Sequence, residues 1–298
     1  VFHSLLVPLD GSTLAEQALP LAASVAEQNK ASLSLAVVHP WGPAEDAPRP
    51  GTRADRELRE DEGAYLNRLT QAVASAYRIP VCEAVLDGAA TGRALVEYAR
   101  RRSIDLVVAS THDHGALGRF LSSGVARHLA HHVRASVLFI KPQAAPLPNS
   151  LGGFRRVMMA LDGSPGSEAA LLPGAALAAR ENAVITLVRV IAGSGEPLAR
   201  VRPEAESYLA RLALQLRRLG CQAETSVLVA DSAAEAILDY AAQEGIDLLA
   251  LTTRQRGWAA RTLFGSVADA VIQRSTAPVL VCHAISPRAA TSDILPVR

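Results

Sequence analysis

The feature that most constrains this chain is that it repeats itself. The string Leu9-Asp10-Gly11-Ser12 returns 152 residues later as Leu161-Asp162-Gly163-Ser164. Each copy follows an apolar run, Leu5-Leu6-Val7-Pro8 or Val157-Met158-Met159-Ala160, and leads into an Ala/Leu-rich segment. Glu16, Ala18 and Leu19 match Glu168, Ala170 and Leu171 at the same spacing. Further along, the spacing falls to 142. Tyr98-Ala99 meets Tyr240-Ala241, Ile104-Asp105-Leu106 meets Ile246-Asp247-Leu248, and Val137-Leu138 meets Val279-Leu280. The ten-residue difference marks an insertion in the first copy, the proline-rich stretch Pro40–Gly51, which reads as a solvated loop. Two units of one fold follow, 1–142 and 154–285, joined by a linker over 143–153 and trailed by a tail over 286–298.

Within each copy, short apolar runs alternate with helical patterns. The runs are Ser4–Leu9, Ser32–Val38, Val81–Leu86, Asp105–Ala109 and Ser136–Ile140, then Arg156–Leu161, Val184–Ile191, Ala223–Val229, Asp247–Leu251 and Pro278–Cys282. They are apolar on both faces, as strands of a covered parallel sheet are. Between them, Leu14, Ala18, Leu21, Ala22 and Val25 form one apolar helical face, and Ala205, Tyr208, Leu209, Leu212 and Leu216 form another. The expectation is α/β: two tandem doubly wound five-stranded parallel sheets with right-handed crossovers.

Charge and composition then exclude function classes. Lys plus Arg is 30 and Asp plus Glu 29, a net charge of +1 that gives no electrostatic basis for nucleic-acid binding. Cys82, Cys221 and Cys282 show no paired spacing, which excludes a disulfide scaffold and a CxxC site. The run Val1–Leu9 is too short for a signal peptide, and no stretch of about 18 apolar residues suggests a membrane span. The expected setting is soluble and cytoplasmic, with no membrane partner.

In an open parallel sheet, ligands bind outside the carboxyl ends of the strands, where the strand order reverses. After strand one comes Asp-Gly-Ser in both copies. One reading is a tight turn with a helix cap, Ser12/Thr13 or Ser164, with Glu16 or Glu168 close to capping-box distance. The other makes the aspartate a ligand for a hydroxyl or ring amine. After strand four come Ser110-Thr111-His112-Asp113-His114-Gly115 and Thr252-Thr253-Arg254-Gln255-Arg256-Gly257. Some ten residues on, Ser123-Gly124-Val125 and Gly265-Ser266-Val267 open helical runs, a turn type that can present backbone N–H groups to phosphate.

These segments, in this order and in two copies, resemble the universal stress protein family in its tandem form. The resemblance implies a Rossmann-like sheet of the adenine nucleotide α-hydrolase-like group and a stress-response role. It also implies adenine-nucleotide (ATP) binding that is regulatory and non-catalytic, with magnesium, if any, arriving on the nucleotide. Carried over residue by residue, the second-copy site comprises Ala160, Leu161, Asp162, Val190, Leu251, Thr252, Arg254, Gln255, Gly265, Ser266, Val267 and Ala268. The first copy holds a degenerate counterpart at Pro8, Asp10, Val38, Ser110, His112, Asp113, Ser123, Gly124 and Val125. Asp113 puts a carboxylate on the phosphate approach and Ser123-Gly124 inverts the family's Gly-Ser, whereas Arg254 and Gly265-Ser266 favour copy two. Copy two departs as well, with Thr252 and Gln255 in place of motif glycines. The resemblance further implies an intramolecular pseudo-dimer through Ser136–Ile140 and Pro278–Cys282, with a homodimer and an unidentified protein partner left open.

Other features carry plainer readings. His112, His114, His128, His131 and His132 cluster in sequence, but copy two has Ala270 and Arg274 at the places of His128 and His132, so surface histidines are expected rather than a metal site. Arg100-Arg101-Arg102 ends a helical pattern, where cations suit the dipole. Trp258 reads as a base-stacking or interface residue. No Gly-x-Ser-x-Gly elbow or Gly-x4-Gly-Lys-Ser/Thr loop occurs, so no enzyme activity is expected, with slow ATP hydrolysis left open. The competing expectation is a nucleotide-independent stress-response module acting through protein contacts.

Overall fold

A computed structural model describes residues 2–40, 48–110, 125–141, 153–178, 183–193, 198–253 and 266–283. The chain divides into two compact units, Val1–Gly153 and Phe154–Arg298.

In the first unit the strands are β1 (Ser4–Leu9), β2 (Ser32–Pro40), β3 (Val81–Gly88), β4 (Leu106–Ser110) and β5 (Ser136–Ile140). All pairings are parallel and the order is β3-β2-β1-β4-β5. Its helices are α1 (Thr13–Glu16), α2 (Ala18–Asn29), α3 (Arg53–Ala76), α4 (Thr91–Arg101) and α5 (Val125–His132). α2 packs with α3, and α4 with α5, as expected when crossovers cover both faces of a sheet. The second unit repeats this plan. Its strands are β6 (Arg156–Ala160), β7 (Val184–Ile191), β8 (Gln222–Val229), β9 (Leu248–Thr253) and β10 (Val279–His283), ordered β8-β7-β6-β9-β10. Its helices are α6 (Leu171–Leu177), α7 (Leu198–Arg218), α8 (Ala233–Gln243) and α9 (Ser266–Arg274).

The apolar runs became strands because both faces are covered. Leu5, Leu6, Val7 and Leu9 of β1 are fully buried, as are Val157, Met158 and Met159 of β6. Helical faces supply the cover: Leu66, Leu69 and Val73 from α3, and Leu209, Leu212 and Leu216 from α7, are all buried. Several strand ends fall later than the sequence suggests. β4 ends at Ser110 and β9 at Thr253, because the ladders continue as Ser110↔Ile140 and His283↔Thr253. Thr252 is therefore a strand residue, not a loop residue. Of the Pro40–Gly51 stretch, Pro40 is the last residue of β2, and 41–47 lie outside the described residues. Among the described residues, no helix is long and apolar enough to cross a membrane.

Candidate functional site

In each unit the strand order reverses beside the first strand, at β1/β4 and at β6/β9. The Asp-Gly-Ser turns sit there. Asp10 Oδ1 accepts from Ser12 N at 2.9 Å and from Ser12 Oγ. Asp162 Oδ1 accepts in the same way from Ser164 N at 2.8 Å and from Ser164 Oγ. Gly11 and Gly163 hold φ of 80° and 86°, a region that favours glycine. One oxygen of each aspartate is thus committed to shaping its own turn.

The capping half of that reading holds in the first copy only. Ser12 Oγ accepts from Ala15 N, whereas Ser164 makes no side-chain cap and Pro165–Ala170 forms a 3-10 turn instead. No capping box forms in either copy. Glu16 lies 3.9 Å from Arg68, and Glu168 accepts from Arg211 at 2.9 Å, both arginines belonging to the helix after the second strand. With Ser12 and Ser164 as the N-caps, the third helical positions are Ala15 and Ser167, and each glutamate falls one residue too far on for the box.

Those contacts reveal a group that reading the turns alone misses. Tyr65 and Arg68 on α3 lie beside Glu16, with the Arg68 guanidinium 5.5 Å from the Tyr65 ring centre. Tyr208 and Arg211 on α7 lie beside Glu168 in the same relationship, at 5.4 Å. The sequence did carry a signal, since Tyr65-Leu66-Asn67-Arg68-Leu69 returns as Tyr208-Leu209-Ala210-Arg211-Leu212. The second copy adds a cation. Arg189 of β7 lies 5.6 Å from the Tyr208 ring centre, and its guanidinium rests on Gly163, where a Cβ would stand 2.7 Å from Cζ. By strand register its counterpart in the first copy is Val37. Among the described residues no carboxylate pairs with Arg189.

Electrostatics separate the two mouths. Tyr65 Oη is buried and, among the described residues, has no hydrogen-bond partner. Burial first, then the charges of Glu16 and Asp10, push its ionisation well above the ordinary tyrosine value. Burial also raises Tyr208, against the opposing effects of its hydrogen bond with Ser167 and the charge of Arg211. The first mouth sets Asp10 and Glu16 against Arg68; the second sets Asp162 and Glu168 against Arg189 and Arg211.

The remaining site residues read from the sequence divide by burial. Pro8, Leu161, Val38 and Leu251 are buried, so they can offer a ligand only backbone atoms. Ala160, Val190, Thr252 and Val125 are half-buried. Ser110 ends β4 with its hydroxyl buried and, among the described residues, unpartnered. Ser266 opens α9 exposed and Val267 is half-buried, while Ala268 is buried. His112, Asp113, Ser123, Gly124, Arg254, Gln255, Gly265 and Trp258 lie outside the described residues. His128 and His132 do share a helical face, their rings stacked with centres 4.1 Å apart. Among the described residues no three His, Cys, Asp or Glu side chains are grouped to hold a metal.

Both units are thus Rossmann-like α/β sheets with an Asp-Gly-Ser turn at the switch point. The universal stress protein family model matches the chain twice, over residues 2–141 and 153–283, and the chain belongs to that family. A universal stress protein of Mycobacterium tuberculosis is 27% identical over 292 residues, covering 94% of this chain and 97% of the relative. The solved structure of a universal stress protein from Archaeoglobus fulgidus shares the fold, with a TM-score of 0.72 at 17% identity. It covers 94% of this chain and 96% of that one. A second solved structure, from Pseudomonas aeruginosa, gives a TM-score of 0.63 at 17% identity over 95% and 94% of the two chains.

Proposed function

We propose that this universal stress protein binds an adenine nucleotide at the strand ends of its second unit and acts as a regulator without turnover. One observation carries the choice of unit. Arg189 places a guanidinium with no carboxylate partner among the described residues over the Asp162-Gly163 turn, where the first unit has Val37. A ligand with acceptor oxygens at its ribose or base end and net negative charge gains from that cation, and a charge-assisted hydrogen bond there contributes about 1.5–3 kcal/mol. Asp162 keeps the role of holding the ribose or base end, while the phosphates run toward the start of α9 at Ser266.

Calorimetric titration of ATP into the whole chain tests this. Arg189→Val, which copies the first unit, is expected to weaken binding by about tenfold or more. Asp162→Ala weakens it as well, and Asp10→Ala leaves it near the unsubstituted value. Equal losses from Asp10→Ala and Asp162→Ala would overturn the assignment to the second unit. No binding by the unsubstituted chain would leave the nucleotide-independent module as the function.

A further inference from the structure

The amino ends of the first unit's strands, opposite the nucleotide site, hold a polar cavity of about 420 Å³. Ser4 opens β1, Ser32 and Ser34 lie two apart on β2, and Cys82 is on β3. The register pairs Ser4 with Ser32 and Ser34 with Cys82, so alternation along the strands brings these side chains to one face of the sheet. The end of α4 closes the cavity with Arg101, Arg102 and Ser103.

Every polar side chain lining it is a hydroxyl, a thiol or a guanidinium, and none is a carboxylate. Ser34 is 4% exposed and lines the cavity beside Cys82, its partner in the strand register. Arg102 is exposed, with its guanidinium 6.0 Å from the Tyr98 ring centre and no carboxylate partner among the described residues. Arg101 Nε lies 3.5 Å from Glu97, one turn back along α4 and outside the cavity lining. Asp105, next to α4, is engaged by the backbone N–H groups of His3 and Ser4.

The second unit supplies the contrast. Ser103 and Gly245 follow α4 and α8 with φ of 50° and 60°, so the two helix ends correspond. In place of Arg102 stands Glu244, which accepts from Arg156, the counterpart of Ser4, at 2.9 Å. In place of Cys82 stands Glu224. The same location thus carries two arginines and no acid in one unit, and two acids with one paired arginine in the other.

We propose that the first-unit cavity binds a phosphate-class oxyanion, as inorganic phosphate or as a small phosphomonoester. Hydroxyl donors on the floor and a pair of guanidiniums at the mouth match the acceptor-only surface of such an anion. The carbonyls ending α4 disfavour an anion, so binding depends on the two arginines. The site does not rest on the nucleotide reading.

The probe is the rate of Cys82 alkylation by iodoacetamide in the full chain, followed by peptide mass spectrometry with Cys221 as internal reference. Inorganic phosphate, titrated at constant ionic strength against chloride, is expected to slow Cys82 at least fivefold and saturably, leaving Cys221 unchanged. A parallel titration with glycerol 3-phosphate distinguishes the sources: protection at lower concentration identifies a phosphomonoester, and protection by phosphate alone identifies the free ion. Arg102→Glu and, separately, Arg101→Gln install the second unit's residues on an exposed helix end, and each is expected to remove the saturable effect. Absence of protection by both anions, or undiminished protection in both variants, would overturn the proposal.

Discussion

His39 is fully buried between two carboxylates, its Nε2 3.0 Å from Asp55 Oδ1 and its Nδ1 2.8 Å from Glu62 Oε2. The ring and the two acids form one largely buried hydrogen-bonded cluster. The corresponding places in the second unit are the buried, apolar Ile191 and Ala205. His39→Ile should therefore be costly, because it leaves acids buried without their partner. It is expected to lower Tm by several degrees, and His39→Ile with Glu62→Ala is expected to recover most of the loss. Thermal melts check this, and a double variant no more stable than the single one would contradict it.

Asp55 also fixes the pH response at the start of α3. The backbone N–H of Gly51 holds its carboxyl below the ordinary aspartate value, assisted by His39 and Arg59 and opposed by burial. A depressed folded value means stability that is present above the unfolded value, near pH 3.9, and lost as pH falls through the folded one. The first turn of α3 should stay protected down to about pH 4 and open below it. Hydrogen exchange at the amides of residues 55–59 reads this directly. Asp55→Asn should remove the acid transition while raising exchange at neutral pH.

Gly163 and Gly11 share the left-handed φ region, at 86° and 80°, but have different surroundings. A Cβ on Gly11 would meet open space, whereas one on Gly163 would stand 2.7 Å from Arg189 Cζ. Gly11→Ala should cost only left-handed backbone strain, about 1–2 kcal/mol. Gly163→Ala should cost more, and adding Arg189→Ala should bring it back to the Gly11→Ala value. Denaturant melts of the four chains measure all three steps. Equal losses at the two glycines would mean that Arg189 does not rest on the turn in solution.

His128 makes the α4–α5 contact acid-sensitive. Its ring is stacked on His132 and lies against Gly92, where a Cβ would come within 2.8 Å of it. Burial first, then the charges of His132 and Arg93, hold its ionisation below the ordinary histidine value. The neutral ring is therefore the folded form, and its contribution, present above about pH 6.5, is lost as pH falls through the folded value. The second unit has Ala270 there, with Arg274 paired to Glu235. His128→Ala is expected to flatten the decline in Tm between pH 7 and pH 5. An unchanged pH slope would assign the decline elsewhere.

The repeat made the architecture legible. Because Asp10 and Asp162 follow apolar runs that can only be buried on both faces, the strand-helix alternation and the strand-end turns could be placed without coordinates. The capping box does not form because the N-caps fall at Ser12 and Ser164, four residues before the glutamates, whose partners Arg68 and Arg211 arrive from a helix dozens of residues away. Strand ends were misplaced at Ser110 and Thr253 because a polar residue ending an apolar run looks like a loop until a neighbouring strand continues the ladder.

By itself, then, the sequence determined two α/β units, their parallel sheets and the location of the strand-end turns, since these follow from hydrophobic periodicity and from glycine at positive φ. Only the tertiary structure decided which charges meet. Parallel strands bring side chains from distant segments to one end of a sheet, and register, not sequence distance, selects the neighbours. That is why Arg189 lies over Gly163 while its counterpart is a valine, and why Ser34, Cys82 and Arg102 share one cavity although α3 and α4 separate them along the chain.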